Sequence, residues 1–373
     1  MKKKLIIALV LCIVLGSFTT VSMAENSPAG EKSFSLAEAV DYALKNSPQM
    51  GIKQTALEKA KVGLREANSL FNKTKDSSEV TFQTAQIKKG YGKRGAQSAV
   101  TVAEKDLLRA AEDIKYSVES SYFNLLNAQE KLEIQNSTLV SAKENLDTTS
   151  KKYELGLVSQ IEVTSAKTTY MQEQMDQRSA QRAVEYAVMD FNKTLGLPLE
   201  TKVKLTDTLN IEPLPEVDIN EKVSLALQNR MEIVSASEQY EVDKLNLEIT
   251  YGWYPENTYK YQEAKQTMES SEYKLSSSKQ SVELSVRKAY MDMQDAYDRL
   301  TILDQSIDEM EKLYDATILK YENGLDTSSS VTDMLNKVKE VKLQKAQALL
   351  GYNLAKKQFE ASFGIGISSA GGY

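Results

Sequence analysis

The stretches "YELGLVSQIEV" at residues 153–163 and "YENGLDTSSSV" at residues 321–331 decide the fold of this 373-residue chain. Each one interrupts a long helical pattern with the sequence Tyr-x-x-Gly-Leu, after which the helical pattern resumes. Glycine readily adopts the left-handed backbone conformation that closes a helix, so Gly156 and Gly324 are predicted to end one helix each. Each stretch is therefore expected to form the tip of an antiparallel helical hairpin.

The segments that flank the two tips contain no proline between residues 49 and 197 or after residue 256, which permits very long helices. Apolar or aromatic residues recur there every seven positions, which is typical of coiled-coil packing. These positions are Val118, Leu125, Leu132, Leu139, Leu146 and Tyr153 in the first segment, and Val286, Met293, Leu300, Ile307, Tyr314 and Tyr321 in the second. The predicted fold class is mainly α, built from long antiparallel coiled-coil hairpins.

The two hairpin segments are copies of each other. Matching residues such as Tyr122 and Tyr290 are separated by 168 positions, whereas an earlier pair of motifs, "DYALKN" and "SLALQN", is separated by 183 positions. The first copy thus carries 15 more residues ahead of its long helix. We expect a single domain over 25–373, with repeats at about 33–197 and 219–367. The link at 198–218, which alternates around Val203 and Leu205, is interpreted as a belt along the helices.

Composition limits the classes of function. The basic and then apolar start predicts a signal peptide over residues 1–24, cleaved after about Ala24, so Cys12 would leave no cysteine in the mature chain. The sequence has no histidine, which excludes histidine-based catalysis and the common zinc sites. Loss of Lys2, Lys3 and Lys4 would change the net charge from −6 to −9, which disfavours nucleic-acid binding. We expect no enzyme activity and no cofactor.

Two spacings after the tips suggest how the return helices begin. Ser159-x-x-Glu162 has the pattern of a capping box, and Ser330-x-x-Asp333 offers the same chemistry in the second copy. On this basis alone the two acidic residues are helix-capping groups, and the Tyr-x-x-Gly-Leu motifs are equivalent turns.

The order and duplication of these motifs resemble the TolC family of outer membrane efflux proteins. The resemblance covers residues 33 to 367, with "SLAEAVDYALKNSP" (35–48) echoed by "EKVSLALQNRMEI" (221–233), and "FNKTLGL" (191–197) echoed by "FEASFGI" (359–365). It implies a homotrimer whose hairpins form a twelve-helix tube leading to a β-barrel in the outer membrane. The tips would meet a periplasmic adaptor, a membrane fusion protein, that connects to an inner-membrane transporter.

The resemblance also implies roles for single residues at the tips. It places Glu162 and Asp333 at a constricted entrance, where each residue can also be a cap. The aligned partner of Glu162 is Ser330, so the size of an acidic ring stays open. The adaptor-facing residues it implies are Gly156, Leu157, Gly324 and Leu325.

The segments at the opposite end of the long helices are short for the family. A spanning strand needs about 9–11 residues, and residues 249–261 include Pro255, so we predict no strand there longer than about seven residues. Residues 79–87 alternate loosely and are a candidate strand, giving a reduced β insert. The aromatic cluster of Trp253, Tyr254, Tyr259 and Tyr261 suits either a membrane interface or packing at a bundle end. We expect short strands or loops around Trp253 and Tyr91.

Two classes of function remain after these observations. The first is a trimeric, passive outer membrane efflux duct for small molecules or proteins. The alternative is a non-conducting structural or adaptor-binding protein of the cell envelope, favoured by the short inserts. Both predict an exported, membrane-associated protein. It would reside in the outer membrane and periplasm, or in the extracytoplasmic envelope of a cell without an outer membrane.

Overall fold

The computed structural model describes residues 32–368, so the predicted signal peptide lies outside the described residues. Within this range the protein has two short strands and nine helices. In chain order they are β1 (Lys32–Phe34), α1 (Leu36–Asn46), α2 (Pro48–Thr74), α3 (Phe82–Lys88), α4 (Tyr91–Glu154), α5 (Gln160–Leu195), β2 (Val203–Leu205), α6 (Ile219–Asn229), α7 (Met231–Tyr251), α8 (Tyr259–Glu322) and α9 (Ser328–Ser362). The predicted fold class, mainly α with long antiparallel hairpins, is confirmed.

The duplication is visible in the helix boundaries. Helices α4 and α8 both contain 64 residues, and their first and last residues are each offset by 168 positions. Helices α1 and α6 both contain 11 residues and are offset by 183 positions. The 15 extra residues of the first repeat lie in a longer α2, in the loop that follows it and in α3.

The link between the repeats is anchored to the start of the chain. Strands β1 and β2 pair in parallel, with Phe34 opposite Leu205. The Tyr122 hydroxyl donates to the Phe34 carbonyl at 3.1 Å, and the Asp207 carboxylate accepts the Leu36 backbone N–H at 2.7 Å. The linker therefore lies along the helices, as a belt would.

Each repeat has its own apolar core at the end of its hairpin away from the tip. In the first core the rings of Phe34, Tyr122 and Phe191 pack edge to face, with centroids 5.8–6.2 Å apart. The predicted heptad positions Val118 and Leu125 are fully buried there. The second core repeats the arrangement around Val286, Met293, Leu300, Tyr352 and Phe359.

The buried surface of α4 changes character toward the tip. Leu132, Leu139 and Leu146 continue the predicted heptad, yet they are only half-buried. The buried positions lie three residues after these leucines or one residue before them and are polar or small, namely Gln135, Thr138, Ala142, Asn145 and Thr149. The heptad period correctly predicted the helix, but not that its buried face is polar near the tip.

The end opposite the tips is made of helix ends joined by turns. Residues 249–261 contain no strand, as predicted: α7 ends at Tyr251 and α8 begins at Tyr259. The candidate strand at 79–87 is wrong, because Thr81 caps α3 and the ring of Phe82 packs on Trp253 and Tyr254. Turns and loops connect the helices around Trp253 and Tyr91, so of the two expected alternatives the loops are confirmed and the short strands are not.

Among the helices of residues 32–368, none combines the length and the apolar character needed to cross a membrane.

Candidate functional site

The candidate site is the pair of hairpin tips, which the two repeats build in the same way. Gly156 has a φ angle of 72° and Gly324 one of 75°, so both adopt the left-handed conformation predicted for them. In the first tip the Leu157 N–H donates to the Lys152 carbonyl at 2.9 Å, and this bond closes the helix end. The second tip has the equivalent bond from Leu325 to the Lys320 carbonyl at 2.8 Å.

The return helices begin at equivalent residues, and only the first of the two predicted caps is correct. The Ser159 hydroxyl accepts the Glu162 N–H, and the Glu162 carboxylate accepts the Ser159 N–H, so the predicted capping box is confirmed. The prediction for the second copy is wrong. Thr327 caps α9 by accepting the Ser330 N–H at 3.2 Å, because Thr327 and not Ser330 matches Ser159 at the 168-residue offset. Asp333 lies one turn further along α9 and caps nothing.

The predicted tip residues are accessible at the end of the bundle. Gly156 and Gly324 are exposed, and so are the side chains of Leu157 (69%) and Leu325 (79%). The first tip also exposes Leu155 and Ile161, so it is the more apolar of the two. Glu162 is half-buried and Asp333 is exposed.

Direct contacts join the two tips. The Lys152 ammonium hydrogen-bonds to the Tyr321 carbonyl and also lies 3.8 Å from the centroid of the Tyr321 ring. The Thr149 hydroxyl is 2.8 Å from the Tyr321 hydroxyl and donates to the Ser328 hydroxyl at 3.0 Å. All of these atoms except the lysine head lie in fully buried residues. The first tip is therefore held beside the second.

A buried ionic cluster lies further along the same seam. The Glu173 carboxylate on α5 is 1% exposed. It accepts hydrogen bonds from the Gln135 amide of α4 at 2.5 Å and from the Lys339 ammonium of α9 at 2.6 Å. Lys339 also approaches Asp176 at 3.4 Å. Because a buried carboxylate without such partners would be strongly destabilising, this cluster ties the first hairpin to the second repeat.

The tip contacts and the ionic cluster were not predicted from the sequence. Neither was the role of Asp326, a carboxylate in the second tip. Hydrogen bonds from the Ser330 side chain and from the Thr327 backbone hold the pKa of Asp326 below its usual value, so it is charged at neutral pH. Its position next to the Thr327 cap is the signal that would have found it.

The described residues do not form a metal-binding cluster. Within residues 32–368, no three His, Cys, Asp or Glu side chains cluster in a way that would hold a metal ion. The tips offer exposed backbone, leucine and carboxylate groups, which suit contact with another protein or with a passing solute.

Both repeats of the chain match a known protein family. A sequence model of the family described as "Outer membrane efflux protein" matches residues 66–197 and 224–364, which are most of the two repeats. A search of curated protein sequences finds no significant match.

Solved structures share the fold over nearly their full lengths. The outer membrane protein VceC of Vibrio cholerae aligns with a TM-score of 0.73 and 14% identity, over 89% of this chain and 97% of that one. The outer membrane channel CmeC of Campylobacter jejuni aligns with a TM-score of 0.71 and 14% identity, over 96% of each chain. A membrane protein from Pseudomonas aeruginosa aligns with a TM-score of 0.73 and 12% identity, over 94% and 98%. At such low identity these structures show a common fold.

Proposed function

The chain belongs to the outer membrane efflux protein family, and we propose that it is the passive exit duct of a tripartite export system. An inner-membrane transporter delivers the substrate, a periplasmic adaptor connects the transporter to the tips, and the duct itself catalyses nothing. The observation that carries the proposal is the pair of tips, which lie side by side and expose leucines at the ends of two 64-residue helices.

The duct is a homotrimer in this proposal, and the duplication supports that assembly. Within the chain, α4 of the first repeat packs against α9 of the second. Helix α8 is the counterpart of α4 in the other repeat, and α5 is the counterpart of α9. The equivalent pairing therefore joins α8 of one protomer to α5 of another. Apolar side chains are exposed on both of these helices, namely Met171, Met175, Tyr186 and Met189 on α5 and Ile302, Leu313 and Leu319 on α8. Their burial stabilises the assembly by about 25 cal/mol per Å² of apolar surface.

The residues at the tip repeat in register with this pairing. Lys152 contacts Tyr321 within the chain, and their counterparts at the 168-residue offset, Lys320 and Tyr153, are also a lysine and a tyrosine. Both counterparts are exposed. Three protomers therefore form a ring in which Lys320 of each one contacts Tyr153 of the next, and the ring contains six hairpins, or twelve helices.

The mouth of the duct is the ring of tips. In this proposal Gly156, Leu157, Gly324 and Leu325 face the adaptor. Glu162 and Asp333 line the constriction, which would hold about six carboxylates in the trimer and would favour cations. Two features support these roles: the tip residues are exposed, and among the described residues no ion pair neutralises Glu162 or Asp333. The whole mature chain acts as one domain in the cell envelope.

Sedimentation of the purified protein and conductance measurements in planar bilayers test the proposal together. A trimer that conducts ions supports the duct, whereas a stable monomer at micromolar concentration contradicts it. The second candidate is a non-conducting structural or adaptor-binding protein of the envelope. It is favoured by the helix ends and turns at 82–91 and 249–261, which contain no strand, and a stable trimer without conductance would support it instead of the duct.

A further inference from the structure

The end of the molecule opposite the tips presents a surface whose charge differs from that of the rest of the chain. Helices α4 and α8 run from this end to the tips, over about 95 Å at 1.5 Å per residue. Residues 73–93 and 251–261 connect the helices here, and we call them together the distal patch. The rings of Phe82 and Trp253 pack with centroids 6.1 Å apart, and the Gln86 amide donates to Asn246 at 3.1 Å, so the two segments form one surface.

The distal patch is basic although the chain as a whole is acidic. It contains six lysines and three acidic residues, a net charge of +3, whereas the net charge of the chain is −6. The lysines are Lys73, Lys75, Lys88, Lys89, Lys93 and Lys260, and the acidic residues are Asp76, Glu79 and Glu256.

Most of this positive charge is not neutralised by the protein. Within the described residues, the five lysines of segment 73–93 form no ion pair, and only Lys260 has a carboxylate partner, Glu263 at 3.6 Å. Lys88 donates to the Ser77 carbonyl at 2.6 Å, and Lys93 lies 5.4 Å from the centroid of the Phe71 ring. Neither contact removes a charge, so the field of these lysines is directed at solvent.

Amphipathic aromatic side chains are exposed beside the lysines. Tyr259 is 94% exposed, Tyr251 63% and Trp253 39%, and Val80 on the basic segment is 78% exposed. Tyrosine and tryptophan are enriched where an apolar phase meets water, because the ring is apolar and its edge carries a hydrogen-bonding group. Lysine extends its alkyl chain along such a boundary and keeps its ammonium in the aqueous layer.

We propose that the distal patch docks on the surface of an anionic phospholipid bilayer. The lysines attract the headgroup phosphates, while Tyr251, Trp253 and Tyr259 enter the interfacial layer. The lysine-rich composition suits a diffuse layer of phosphates, since lysine acts as a mobile point charge and lacks the fixed geometry of arginine. The inference rests on the proposed function in one respect: three patches per trimer would bind together, with the tips pointing away from the bilayer.

The protein contains its own probe for this test, because Trp253 is the only tryptophan of the chain. Purified protein is mixed with vesicles of phosphatidylglycerol and phosphatidylcholine, or of phosphatidylcholine alone, and then sedimented. We expect co-sedimentation and a blue shift of the Trp253 emission with the anionic vesicles only, and weaker binding at high salt. No blue shift, or equal binding to both kinds of vesicle, would overturn the proposal.

Substitutions separate the patch from non-specific adsorption. Each lysine near a charged membrane surface contributes about 1 kcal/mol, a factor of about five, so the variant Lys75→Gln/Lys89→Gln is expected to bind about 25-fold more weakly. Tyr259→Ser, at a side chain with almost no protein contacts, is expected to bind several-fold more weakly. The matched control Lys151→Gln/Lys167→Gln removes two exposed lysines near the first tip and should bind like the parent protein. An equal loss in this control would refute the proposed role of the patch.

A competition arm distinguishes a bilayer from a soluble polyanion. The patch binds polyanions, and the bilayer proposal is wrong, if two results are found together. Inorganic polyphosphate would release all of the protein from the anionic vesicles, and the vesicles would leave the Trp253 emission unchanged. Sedimentation of the trimer in the absence of lipid reports on the proposed assembly independently. Failure of vesicle binding by an intact trimer would therefore reject this inference alone.

Discussion

Tyr153 and Tyr321 occupy equivalent positions 168 residues apart, yet Tyr153 is 43% exposed and Tyr321 is 3% exposed. Tyr321 is covered because Thr149 and Lys152 of the first hairpin pack against it. Tyr153 has the same local sequence but no further repeat beside it within the chain. An assembly with quasi-equivalent contacts would remove this difference in exposure, because the next protomer would present Thr317 and Lys320 to Tyr153.

The first prediction tests that contact by cross-linking. In a Cys12→Ser background, which has no other cysteine, the variant Tyr153→Cys/Lys320→Cys is treated with a short bismaleimide. Cross-linked dimers and trimers are expected on denaturing gels, because the two positions lie on different protomers. The matched control Lys152→Cys/Tyr321→Cys should cross-link only within one chain. A monomeric band for the first variant would exclude the proposed ring.

The second prediction concerns the glycines of the tips. Gly156→Ala or Gly324→Ala is expected to lower the free energy of unfolding by about 1–2 kcal/mol, because alanine is strained at positive φ. An added Cβ meets no atom within 4 Å at either site, so only the backbone is affected. The control Gly63→Ala lies within helix α2 with equally open surroundings and is expected to stabilise the protein by about 0.5–1 kcal/mol. Equal effects in denaturant titrations would contradict this account.

The third prediction concerns the buried cluster around Glu173. Lys339→Met leaves this carboxylate buried without its cation and should destabilise the protein by about 3–5 kcal/mol. The double variant Glu173→Leu/Lys339→Met should lose much less, because no uncompensated charge remains. The comparison is Lys342→Met, which removes a half-exposed ion pair with Glu311 and should cost less than about 1 kcal/mol. Similar losses in all three variants would show that the buried pair has no special role.

The fourth prediction concerns the entrance. Glu162→Gln with Asp333→Asn should lower the cation selectivity of the reconstituted channel while the trimer stays intact, because carboxylates at a narrow mouth attract cations. Stability should change little, since glutamine can still complete the capping box and Asp333 caps nothing. Asp190→Asn, near the other end of α5, is the control and should leave selectivity unchanged. Unaltered selectivity in the double variant would limit Glu162 to its capping role.

The fifth prediction concerns pH. Burial raises the pKa of Glu119, and the nearby Lys357 ammonium, 3.6 Å away, only partly opposes this effect because it also pairs with Glu360 at 3.0 Å. A carboxyl group whose pKa is higher in the folded state contributes stability below its unfolded pKa, and that contribution is lost as pH rises through the folded pKa. Glu119→Gln should therefore stabilise the protein at neutral pH but not at pH 4. Unfolding curves at both pH values measure the effect of the substitution. Equal changes in the free energy of unfolding at the two pH values would contradict this account.

The individual elements show how far local sequence information reaches. The helix that ends at Gly156 and the box from Ser159 to Glu162 were predicted correctly, because a left-handed glycine and a local cap depend on neighbouring residues only. The cap at Ser330 was wrong because Thr327 offered the same chemistry three residues earlier. The candidate strand at 79–87 was wrong because a cap at Thr81 and distant aromatic packing outweighed a weak alternation.

The sequence by itself determined the long helices, the two repeats and the positions of both tips. These follow from proline-free heptads, from the constant offset of 168 residues and from glycine chemistry, which are all properties of the chain read along its length. The tertiary structure alone decided that Lys152 reaches Tyr321, that Glu173 is buried with Lys339, and that the polar stripe of α4 lies inside near the tips. It also brought the lysines of segment 73–93 to the aromatic turn at 251–261. The physical reason is that burial and ion pairing depend on which helix faces meet in space, and residues more than 160 positions apart do not encode that encounter locally.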